Sequence, residues 1–191
     1  MPAAAGSRPR PKDIGGSRDN RGFFIRDTFS PGVGITNGSG THFKTSVERV
    51  GDIFVTRILI DLTGLSSSTT DLDIIGTAGV SHIGQITTAK NGIILGGTMT
   101  CFEVPAGGAD DIDLYSAADA TGAYDGAVAS LTSYAAVITN GAAWANGDVK
   151  PFIADAIVAD DYLYLTGGEA GTAAPYTAGR FLLQLYGRYV A

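Results

Sequence analysis

The residues best suited to chemistry are acidic. Asp110, Asp111 and Asp113 follow a Gly-Gly turn, and Asp71 and Asp73 form a second alternating pair. Side chains two apart on an extended chain share a face. Each group could therefore converge oxygens on a hard cation, which asks for several of them. Alternate aspartates beside such a turn read more simply as solvated loop and strand residues, so no metal site and no cofactor are assigned. Two carboxylates at glycosidase spacing are compatible with the composition, but no feature selects a pair.

Other chemistries find less support. His42 and His82 lack a serine–acid context, and no G-x-S-x-G stretch occurs. Cys101 is the only cysteine, which excludes an intrachain disulfide and Cys-based metal sites. Between Thr100 and Phe102 it reads as a small buried side chain. The glycines of Gly167–Gly171 do not open a helix, and no lysine follows a suitable glycine run, so a phosphate cradle is not expected. Trp144, Tyr162 and Tyr164 fit either a sugar-stacking platform or packing on the core or a neighbouring subunit. The chain reads as a non-enzyme.

The elements that must carry these residues are strands. Arg180–Tyr189 alternates, with Phe181, Leu183, Leu185 and Tyr189 on one parity and Arg180, Gln184 and Arg188 on the other. Ile53–Leu62 alternates in the same way, and its apolar face matches, so the two are expected to pair. Thr98–Val104 is apolar on both faces, which predicts a central strand. Further strands are expected at Leu72–Ile75, Val80–Thr88, Gly92–Leu95, Asp111–Tyr115, Pro151–Ile157 and Asp161–Thr166. Asn91-Gly92 marks a hairpin turn, and Ala123–Thr139 reads as a loop or short helix leading into a strand. About eight strands between turn signals predict an all-β sandwich or barrel.

Composition sets the surroundings. With 27 glycines in 191 residues the chain has about twice the usual share, and its charged fraction, 17%, is low. Low charge implies that part of the surface faces protein, or that it is small, polar and uncharged. Residues 1–27 hold six basic and three acidic residues, net +3, so the rest carries −9 of the overall −6. This basic, Pro- and Gly-rich stretch predicts an extended arm over 1–43, with the folded domain at 44–191. An acidic body argues against nucleic-acid binding. No apolar signal core follows Met1 and no run is long enough to span a membrane, so cytoplasmic synthesis is expected.

Several stretches together carry a resemblance: Ile58–Gly64 (ILIDLTG), His82–Thr87 (HIGQIT), Thr100–Gly107 (TCFEVPAG), Asp111–Ser116 (DIDLYS), Tyr162–Gly168 (YLYLTGG) and Tyr176–Leu183 (YTAGRFLL). Over roughly Asp52 to Tyr189 the chain resembles the small virion proteins of tailed phages, especially aquatic ones, that decorate or cement the capsid. The resemblance implies a jelly-roll-like antiparallel β-sandwich and a homotrimer on the outer face of the phage head. It also implies an N-terminal arm spread over the major capsid protein. On composition, the contact residues of that arm are Arg8, Arg10, Lys12, Arg18, Arg21, Phe23, Phe24 and Phe29. A receptor- or glycan-binding module of a head fibre or tail is the alternative.

Overall fold

The computed structural model describes residues 18–19, 22–25, 29–171 and 173–190. Eleven strands run in chain order among them: β1 (Arg18–Asp19), β2 (Gly22–Ile25), β3 (Phe43–Val50), β4 (Ile53–Asp61), β5 (Gly84–Gln85), β6 (Ile93–Ala106), β7 (Ile112–Ala117), β8 (Ala135–Ile138), β9 (Val149–Ile153), β10 (Tyr162–Gly167) and β11 (Ala178–Arg188). They form two antiparallel sheets. The larger has the order β1-β2-β3-β4-β11-β6-β9 and the smaller β5-β10-β7-β8. Among the described residues no helix is long and apolar enough to cross a membrane.

The expected pairing of the last strand is observed. β11 runs beside β4 in unbroken register from Arg180 opposite Asp61 to Arg188 opposite Ile53. Its other edge pairs with β6, where the register shifts between Ala178 and Phe181 and again between Tyr186 and Gly187. Alternation places Phe54, Ile58 and Ile60 of β4, Met99 and Cys101 of β6, and Phe181, Leu183 and Leu185 of β11 on one face. They pack in one core with Ile112 and Leu114 of β7 and Leu163 and Leu165 of β10. Fully burying one such side chain contributes about 1.5–3 kcal/mol.

Three local expectations need correction. Asn91-Gly92 closes a one-turn helix, α1 (Thr88–Asn91), rather than a hairpin. Asn91 is fully buried. Its Oδ1 accepts from the Thr87 amide at 2.9 Å, and its Nδ2 donates to Thr56 Oγ1 at 2.8 Å. Gly92 then takes φ +72°, and a Cβ there would lie 2.4 Å from the Arg188 carbonyl oxygen. The glycine is thus needed for close approach as much as for its dihedral. Leu72–Ile75 makes only isolated bridges, at Asp73 and Ile74, and Val80–Thr88 contributes only the two residues of β5. Conversely, β3 is a full strand beside β4. Ala123–Thr139 does contain a short 3-10 turn, Val128–Ser130, followed by β8.

Folded structure also reaches into the expected arm. Phe29 is buried in the core, and Ile35, on the short helix α2 (Val33–Thr36, which precedes α1 in the chain), is fully buried. Burial removes Phe29 from the set of side chains available to a partner.

Candidate functional site

The two sheets treat their outward faces differently. Asp113, Tyr115 and Ala117 of β7 and Tyr162, Tyr164 and Thr166 of β10 point away from the shared core. Most of this face is roofed by the chain itself. Ile74, Val128 and Tyr164 pack with Tyr115 and Ala117, flanked by Leu72 and Leu131. The Tyr164 hydroxyl donates to the Asp119 carbonyl at 2.6 Å and accepts from the Gly122 amide. Every residue of β7 is consequently buried.

Among the described residues, no such roof covers the outward face of the larger sheet. Register fixes its rows. Val50, Ile53, Arg188 and Ile93 lie side by side across β3, β4, β11 and β6. The next row carries Glu48, Val55, Tyr186, Gly96 and Ile153. A third row, Ser46, Arg57, Gln184, Thr98 and Pro151, is mostly polar, and Lys44, Leu59, Leu182, Thr100 and Val149 form a fourth. Bulged residues of β6 add Leu95 and Phe102. Ile153 is 73% exposed, Val149 52%, Leu95 51% and Phe102 50%. Exposed apolar side chains are normal singly; grouped on one sheet face they are less usual.

Its charges are largely neutralised in place. Arg57 donates to Glu48 at 3.1 Å. Arg180 reaches Asp61 at 2.8 Å and Glu103 at 3.5 Å. Burial alone would raise the Asp61 carboxyl, but hydrogen bonds from Thr63 and Arg180 outweigh it and hold the group below the ordinary carboxylate range. On the core-facing side, at the end of the sheet, the Arg49 guanidinium lies 3.5 Å over the Tyr189 ring. At the β9 edge Pro151 removes a backbone donor. A cleft of about 450 Å³ between β8 and β9 is lined by Val137, Pro151, Phe152 and Ile153.

The residues singled out for chemistry fall in several places. His82 lines a separate cleft of about 300 Å³ with Ser30, Gln85, Thr87 and Tyr162. Its ring lies 4.8 Å from that of Tyr162, and burial lowers its pKa, so it is neutral near pH 7. His42 is exposed. Cys101 is fully buried, its thiol raised chiefly by that burial. Trp144 is buried, donates Nε1 to the Ile112 carbonyl at 2.8 Å and packs edge-on against Phe181. With Tyr164 also buried, these rings do not form the sugar-stacking platform considered above. Asp111, Asp113 and Asp73 are buried rather than solvated.

Arg18 lies in β1, and Phe23 and Phe24 lie in β2, which extends the larger sheet by pairing with β3. Arg8, Arg10, Lys12 and Arg21 lie outside the described residues. The open face was not singled out in the sequence, although a signal for it was present. Thr98–Val104 is apolar on both parities because one side faces the core and the other is a surface. Comparison with protein-family models, with curated proteins and with solved structures finds no match.

Proposed function

We propose that this chain is a virion structural protein, a capsid decoration or cement protein that binds the outer face of a tailed-phage head and reinforces contacts of the major capsid protein. The observation that carries this reading is the set of exposed apolar side chains on the outer face of the larger sheet, Leu95, Phe102, Val149 and Ile153 among them. Strand order supports a jelly-roll-like sandwich: β4-β11-β6-β9 faces β5-β10-β7-β8, and successive strands mostly cross from one sheet to the other. A homotrimer follows from the same surface, since closed symmetry lets identical chains bury apolar area and sit on a three-fold axis. The basic segment before β1 acts as the tether, its arginines forking onto carboxylates of the capsid. Three arms on one trimer bind with high effective concentration. The glycan-binding alternative loses support with the burial of Trp144 and Tyr164.

The test is cosedimentation of the purified protein with expanded shells of major capsid protein, together with light scattering of the free protein. The full chain should cosediment and scatter as a trimer. Leu95→Lys with Ile153→Lys should yield a folded monomer that binds less. Removing residues 1–17 should weaken shell binding without changing the melting temperature. A chain that stays monomeric across micromolar concentrations and never binds shells overturns the reading.

A further inference from the structure

One end of the smaller sheet holds more oxygen than its hydrogen bonds use. Asp113 lies on the outward face of β7, and Asp111 immediately precedes that strand. Thr166 of β10 stands directly opposite Asp113. The Gly168 amide donates to the Asp111 carbonyl at 2.9 Å. A Cβ on Gly168 would lie 2.7 Å from the Asp111 carboxyl carbon, so a bare backbone closes that side. From the loop before the next described strand, the Asn140 amide donates to Asp113 Oδ1 at 2.7 Å. Asp111 is 3% exposed, Asp113 4% and Thr166 0%.

Despite that burial, Asp111 Oδ1, Asn140 Oδ1 and Thr166 Oγ1 have no hydrogen-bond partner. Stranding a buried polar atom is costly, and three in one neighbourhood call for a common explanation.

We propose that Asp111, Asp113, Asn140 and Thr166 form a binding site for a calcium ion, which ties the loop at Asn140 to the smaller sheet. Calcium accepts mixed oxygen ligands, six to eight in number, from carboxylates, amide oxygens, backbone carbonyls and water. Among the described residues no three His, Cys, Asp or Glu side chains are placed to hold a metal by themselves. The donor set is two carboxylates completed by neutral oxygens, which suits calcium and not a transition metal. Magnesium demands tighter octahedral geometry and gives up its water reluctantly, so it binds less well.

The experiment uses the full chain dialysed against EDTA. Calcium titration by calorimetry should show one ion per chain, and millimolar calcium should raise the melting temperature where sodium chloride of equal ionic strength does not. Terbium should luminesce on tyrosine excitation, because Tyr115 lies two residues beyond Asp113 on the same face. Asp113→Asn removes one of two buried charges that repel, so in EDTA it should melt at or above the wild-type temperature. It should lose both the calcium increment and the terbium signal. Thr166→Val keeps the shape and should weaken calcium binding by about 10-fold or more, the scale on which even outer-shell partners act. A wild-type chain that responds to neither ion overturns the proposal, whatever the variants do. An Asp113→Asn chain that keeps the full response overturns it as well.

Discussion

The outward faces of the two sheets make an internal comparison within one molecule. Both belong to antiparallel strands with one side in the same core. The smaller sheet spends long loops roofing Tyr115 and Tyr164, while the larger leaves Leu95, Phe102, Val149 and Ile153 uncovered. Among the described residues the two faces thus differ in how much apolar area the chain itself covers. Stability should therefore reside under the roof and interaction on the open face, and each claim can be broken separately.

The largest effect is expected under the roof. Tyr164→Ala removes a fully buried ring and strands the Asp119 carbonyl and Gly122 amide, so chemical denaturation should show a loss of about 3–5 kcal/mol. Asp61→Ala comes next. It removes a buried acceptor used by Thr63 and Arg180, and should cost about 1–3 kcal/mol. Arg180→Ala should cost clearly less than Asp61→Ala, because that side chain is half exposed and screened.

Acid titration sharpens the contrast. The Asp61 pKa is lowered in the folded state, so its contribution is present above the ordinary carboxylate pKa, about 3.9, and is lost as pH falls through the folded value. Those of Asp111 and Asp113 are raised, so in EDTA their unfavourable ionisation is relieved as pH falls from neutral toward the ordinary value. Melting temperatures against pH in EDTA should show that Asp113→Asn flattens the gain on mild acidification. Asp61→Asn should flatten the loss in stronger acid. Identical profiles for the two variants would erase the distinction between the sheets.

The smallest effect should come from the open face. Phe102→Ser should change the unfolding free energy of a dilute, monomeric chain by no more than about 0.5 kcal/mol. A loss of several kcal/mol in that monomer would mean that the open face is part of the core after all.

These contrasts also show how far the sequence could be read. The alternation of Ile53–Leu62 and Arg180–Tyr189 was strong enough to predict both strands and their pairing, because one parity in each is almost wholly apolar. β3 escaped notice because Lys44, Ser46 and Glu48 alternate with Thr45, Val47 and Arg49, so neither parity is apolar. Asn91-Gly92 carries the same letters in a hairpin and at a helix end. Only the long-range bond from Asn91 to Thr56 decides between them. The aspartates of 110–113 were visible as a group, but their burial depends on Asn140 and Thr166, which no local pattern ties to them. Phe102 and Val104 announced an apolar face without telling whether protein or solvent lies above it.

The locked side chain of Asn91 bears on the chemical lifetime of the protein. An asparagine followed by glycine deamidates when the glycine nitrogen swings onto the side-chain carbonyl carbon. The chain has four such pairs, at Asn37, Asn91, Asn140 and Asn146. At Asn91 both side-chain atoms are held and the Gly92 amide is bound to the Thr88 carbonyl, so the ring cannot close without opening the core. Asn37 and Asn146 are exposed. Ageing should therefore register first as acidic surface species, with the centre of the larger sheet chemically intact. Asn140 lies between these extremes, and its conversion to aspartate would place another carboxylate next to Asp113.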